Sequence, residues 1–111
     1  MRFVTLKIVR DTNHSHSGEY APWEVPILEV IHEPGNVQEL DSVVYPARDL
    51  PELNEEWNRL GTRYGKDAES GVFYRDTAYG SGRVGMAALE AAIERERVNS
   101  RETAGVDPLA A

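Results

Sequence analysis

Residues 2–9 read Arg-Phe-Val-Thr-Leu-Lys-Ile-Val, and Val4, Leu6 and Ile8 fall at every second position. A period of two puts these three side chains on one face of an extended strand, with Thr5 and Lys7 on the other. A strand apolar on one face must lie in a sheet whose buried face is covered by another layer. The cover is legible further on. Leu50, Leu53, Trp57, Leu60 and Tyr64 are spaced 3, 4, 3 and 4 apart, one apolar stripe of a helix over residues 50–64. Asp49 is the expected N-cap, with Pro51 in the first turn and Glu52 three residues on. Gly65 stands where a C-terminal cap belongs.

The remaining segments extend the pattern. Residues 11–22 are polar, with Asn, Ser, Gly and His, and are expected to form a long loop. Residues 23–32 hold Ile27, Leu28, Val30 and Ile31 and predict a second, central strand, with Pro26 at an edge or bulge. Glu33-Pro34-Gly35-Asn36 is turn chemistry, and residues 37–45 then predict a third strand in a hairpin with the second. Residues 72–79 predict a fourth strand, interrupted by Arg75 and Asp76. Residues 84–98 predict a second helix with Met86, Leu89 and Ile93 as its stripe. Residues 99–111 show no pattern and are expected to fray. The expected fold is therefore α+β: a small two-layer domain, an antiparallel sheet of about four strands with two helices on one face, in the order βββαβα. The expected domain is 1–98, followed by a tail.

A chain of 111 residues suits one domain. Hydrophobic residues make up 41% and charged residues 28%, so wholesale disorder is not expected. There is no cysteine, which excludes disulfides, thiolate zinc sites and thiol nucleophiles and accords with a cytoplasmic location. No apolar run reaches the roughly 20 residues of a membrane helix, so no membrane partner is expected.

The net charge of −7 is unevenly placed. Residues 11–56 carry eleven carboxylates against one cation, Arg48, a net −10; the rest of the chain carries eleven Lys/Arg and eight Asp/Glu, a net +3. An acidic surface repels phosphate backbones, so direct nucleic-acid binding is disfavoured, whereas a protein partner with a basic surface is attracted and steered. The expectation is a non-enzymatic acidic interaction protein, an inhibitor or a small assembly subunit, with homo-oligomers also open. Its expected partner-binding residues are Trp23, Glu24, Glu29, Glu33, Glu39 and Asp41. Trp23 lies in the run Tyr20-Ala21-Pro22-Trp23, where an aromatic is either a partner anchor or core. Glu29 lies among apolar residues; it either marks a solvent face or is buried with a partner and a shifted pKa.

Two further patterns invite chemistry. His14-Ser15-His16, with His32, supplies imidazoles for a metal-dependent or hydrolytic site, with Asp11 or Glu33 as a further ligand. Imidazole pairs of this kind need a third ligand from elsewhere in the fold, so no metal, cofactor or catalytic residue is assigned. Gly80-Ser81-Gly82-Arg83-Val84-Gly85 spells G-x-G-x-x-G ahead of a helix. A dinucleotide site would need a βαβ unit with an acidic residue closing the next strand, and only the tail follows. A simpler anion site using Ser81, Arg83 and helix N–H groups is the remaining reading of that motif.

Overall fold

A computed structural model describes the backbone of residues 1–105, and side chains through Val98. It is a small α+β domain with a three-stranded antiparallel sheet and several helices. The strands are Arg2–Asp11 (β1), His14–Tyr20 (β2) and Val37–Val44 (β3), in the spatial order β2-β1-β3. The helices are Val25–His32 (α1), Leu53–Tyr64 (α2), Tyr74–Tyr79 (α3) and Gly82–Gly105 (α4).

β1 is the central strand, and its alternation holds: Val4, Leu6 and Ile8 are all buried on one face. Three expectations around it are corrected. Residues 14–20 are not loop but the strand β2, paired with β1 from Val4↔Tyr20 to Asp11↔His14. The connection is short. The Asp11 carboxylate accepts from the N–H groups of Asn13 and His14, at 2.8 and 2.9 Å, which folds the chain back on itself.

The expected strand over residues 23–32 is instead a 3-10 turn, Pro22–Glu24, running into α1. Pro22 and Pro26 both lie in first-turn positions, where a missing N–H costs nothing. Trp23, Glu24, Ile27 and Leu28 are buried, a spacing of 1, 3 and 1 that belongs to a helix. The helix stops at Glu33, whose φ of 71° is the only positive value outside glycine among the described residues, and Pro34 follows it. The third expected strand exists as β3, but it pairs with β1, from Arg2↔Val44 to Ile8↔Val37. Its register shifts at Leu40, which is left unmatched between Thr5↔Asp41 and Leu6↔Glu39.

The expected fourth strand is the helix α3; only an isolated bridge, Lys66↔Phe73, survives of extended pairing there. The sheet therefore has three strands, not about four. α2 begins later than expected: Glu52, not Asp49, is the N-cap, and its side chain accepts from Glu55 N at 3.1 Å. Gly65 ends it as expected, with φ 68° and its N–H on Gly61 O at 2.9 Å. α4 starts at Gly82 and runs to Gly105, so the second expected helix begins earlier and residues 99–105 of the expected tail are helical; the rest of that tail, residues 106–111, lies outside the described residues.

Two apolar clusters hold these parts together. Val4, Leu6, Ile8 and Tyr20 of the sheet enclose Leu28 of α1. Trp23, Ile27, Trp57, Leu60, Leu89 and Ile93 form the second, between α1, α2 and α4. α1 thus serves both clusters, and Tyr64 packs against each. β1 is tied directly to α4 as well, because Arg2 forms a two-bonded pair with the buried Glu96, at 3.0 and 2.6 Å. No helix among the described residues is long and apolar enough to cross a membrane.

Candidate functional site

The acidic stretch of the sequence is divided by the fold into an inner and an outer set. Glu24 is 2% exposed and Glu56 is 3% exposed. A buried carboxylate survives only if paired and hydrogen-bonded, and both are. Glu24 Oε2 accepts from Ala21 N at 2.7 Å, closing the 3-10 turn ahead of α1. Its Oε1 accepts from the Tyr64 hydroxyl at 2.7 Å and lies 3.5 Å from both Arg59 and Arg63. Glu56 accepts from the Trp23 indole N–H and from Arg59, whose terminal nitrogen is at 2.8 Å. α2 supplies this clasp because Glu56, Arg59 and Arg63 recur at helical spacing beside its apolar stripe.

Glu24, Glu56, Arg59 and Arg63 line a cleft of about 390 Å³ together with Phe3 and Arg48. Its electrostatics are those of a closed network. The hydrogen bond from Arg59 to Glu56 holds that guanidinium charged far above any accessible pH. Burial, with the negative Glu24 adjacent, raises the Tyr64 phenol well above its ordinary range. Tyr79, whose hydroxyl donates to Trp23 O, is raised by burial too. A general acid or base needs a carboxyl free to exchange a proton with a substrate. Glu24 and Glu56 instead spend their oxygens on the protein's own donors, so the cleft is a structural clasp.

The expected partner-binding residues are dispersed by this fold. Trp23 and Glu24 are inside, as core and clasp. Glu29 is half-buried on α1, Glu33 is exposed at its end, and Glu39 and Asp41 are exposed on β3. The register of β3 places Glu39 opposite Leu6 and Asp41 opposite Thr5, so the two carboxylates face opposite sides of the sheet. Glu29, Glu33, Glu39 and Asp41 form no ion pair among the described residues.

The imidazoles do not converge. His14 Nδ1 lies 2.9 Å from the Asp11 carboxylate at the tip of the β1–β2 hairpin, and His16 sits opposite Ile8. These two line one hollow, while His32 lines another with Ile31, Glu33 and Asn36. Among the described residues no three His, Cys, Asp or Glu side chains are arranged to hold a metal ion. His32 has its pKa lowered, by burial first and by the charge of Arg10 second.

The glycine motif follows a helix, α3, rather than the strand its nucleotide reading requires. Gly85 is buried, and a Cβ on it would lie 2.0 Å from Gly80 O and 2.5 Å from the Trp57 ring. Close packing of the Gly80 turn on α4 and Trp57 accounts for that glycine. A comparable approach occurs at Gly61, where a Cβ would meet the Arg75 guanidinium at 2.3 Å. That guanidinium lies between the Trp57 and Phe73 rings, 4.5 and 4.6 Å from their centres, and donates to Trp57 O at 2.6 Å.

The clasp is what sequence reasoning missed. Its signal is present as Glu56, Arg59 and Arg63, but a charged row beside an apolar stripe reads as solvated surface until a buried Glu24 is placed against it. No protein-family model, curated protein or solved structure matches this chain.

Proposed function

We propose that the chain is a non-enzymatic acidic interaction protein that binds the basic surface of a protein partner, as an inhibitor or a small assembly subunit. The observation that carries this reading is how the acidic stretch is divided. The two carboxylates that enter the core engage Arg59 and Arg63. Exposed Glu33, Glu39 and Asp41 and half-buried Glu29 are left without an ion-pair partner among the described residues. Outward negative potential follows, and such potential raises encounter rates with a basic surface and rejects nucleic acid.

The test is capture by the immobilised full chain at low and high salt. The expected result is retention of a basic protein that is released by salt, because exposed charges are screened over about 8 Å at physiological ionic strength. Neutralising the four carboxylates together (E29Q, E33Q, E39Q, D41N) is expected to abolish that retention. An unchanged set of retained proteins in the neutralised variant would overturn the reading.

A further inference from the structure

We infer that β3 is the docking edge, and that an extended basic segment of the partner adds to it as a fourth strand; this rests on the acidic-partner reading above. The order β2-β1-β3 leaves one side of β3 unpaired. Tyr45 N donates to Met1 O at 2.9 Å, so the main chain of residue 45 turns toward β1. In an antiparallel ladder this alternates, which turns residues 41 and 43 inward and Ser42 and Val44 outward. The outward N–H of Ser42 is taken by the carboxylate of its own neighbour, Asp41, at 2.8 Å.

That contact is a replaceable one. A carbonyl of an added strand can take the Ser42 N–H, and the Asp41 carboxylate is then free to meet a cation on the same segment. Glu39 and Asp41 lie on opposite faces of the sheet, so cations on either face of the incoming strand find an opposite charge. Leu40 is 57% exposed and Val44 is 55% exposed, which supplies apolar contact along the same edge.

Charge decides between occupants. A second copy on this edge would bring a strand with two carboxylates, Glu39 and Asp41, and no cation against an identical strand, so neither carboxylate would find an opposite charge. The bulge and the two carboxylates are devices that deter self-association of an edge. They do not deter a lysine- or arginine-bearing strand. The other edge, β2, is a poorer match: its single carboxylate, Glu19, accepts from the Tyr45 hydroxyl.

The experiment adds a synthetic peptide of alternating lysine and valine to the full chain, with a glutamate–valine peptide and polylysine as comparisons. Binding is read from amide shifts and hydrogen exchange. The expected result is slowed exchange at Ser42 and Val44 with the lysine peptide only. Ser42→Pro deletes an outward N–H without removing a bond to β1, and is expected to weaken the peptide about tenfold. The double variant E39K/D41K, which keeps that N–H, is expected to prefer the glutamate peptide. Polylysine or peptide binding with no protection at Ser42 and Val44 would overturn the edge and leave the acidic-partner reading standing. So would a double variant that still prefers lysine. A second copy on the edge would show as protection of the same amides that rises with protein concentration alone, and it too would overturn the proposal. Failure of both lysine probes to bind at low salt would overturn both readings.

Discussion

Gly85 has no room for a side chain. Its Cα faces the Gly80 carbonyl and the edge of Trp57, and the obstructing atoms are a backbone oxygen and a core ring, neither of which can swing aside. Gly85→Ala is therefore expected to cost about 1–3 kcal/mol, the range for overpacking a filled site. Gly35, with nothing within 4 Å of a built Cβ, is the control and should tolerate alanine far better. Urea unfolding of both variants checks this; equal midpoints would remove the packing account of the motif. Glu33 poses the reverse case. Its φ of 71° is a conformation that glycine adopts freely and glutamate does not. Glu33→Gly is expected to raise stability by about 1 kcal/mol through relief of that strain. The same change removes one of the carboxylates assigned to partner binding, so tighter folding should come with weaker capture.

At the scale of elements, what could be read in advance depended on how much each segment's own pattern determined its state. β1 has a strict alternation, and α2 has four apolar residues at helical spacing, Leu53, Trp57, Leu60 and Tyr64; both stand where their patterns put them, with Leu50 left ahead of the helix. β2 lacked a pattern strong enough to see. His16, Gly18 and Tyr20 alternate with Ser15, Ser17 and Glu19, but only Tyr20 is a large apolar group, and the strand exists because β1 offers it a ladder. Residues 23–32 are apolar in near-continuous fashion, which is compatible with a buried strand or a buried helix. Glu24 decides between them. In a helix it sits beside Leu28 and meets Arg59, Arg63 and Tyr64, partners from a segment some forty residues away that no local pattern reveals. The same dependence makes a prediction. Glu24→Ala strips acceptors from Ala21 N–H and the Tyr64 hydroxyl and is expected to cost about 1–3 kcal/mol. Arg59 and Arg63 are 41% and 45% exposed and can turn to water, which keeps the loss below that of a fully buried pair. Glu24→Gln retains one acceptor oxygen and should lose less. Comparing the denaturant midpoints of the two variants, and amide exchange in α1, tests whether this carboxylate anchors the helix.

For the molecule as a whole, the titrating groups bracket a pH range of greatest stability. On the acid side, burial and the charge of Arg10 hold His32 below its ordinary value of 6.5. The unfolded chain then binds a proton first as pH falls through 6.5, and the fold loses stability until folded His32 is protonated as well. Asp11 adds to the same limb at lower pH: N–H groups of Asn13 and His14 and the His14 ring hold it below 3.8, so its contribution is present above that value and is lost beneath it. On the alkaline side Tyr64 and Tyr79 are raised above 10.0 by burial and by the nearby Glu24. The unfolded chain ionises first there, and stability falls as pH rises past 10. The midpoint of urea unfolding is therefore expected to be flat between about pH 7 and pH 9 and to drop on either side. His32→Gln should make the decline below about pH 6.5 shallower, and Tyr64→Phe should do the same above about pH 10 after its own constant cost is subtracted. The two limbs answer to different regions, the β1–α1 junction and the clasp. An acid decline unchanged in His32→Gln would mean that another group, not His32, limits the fold there.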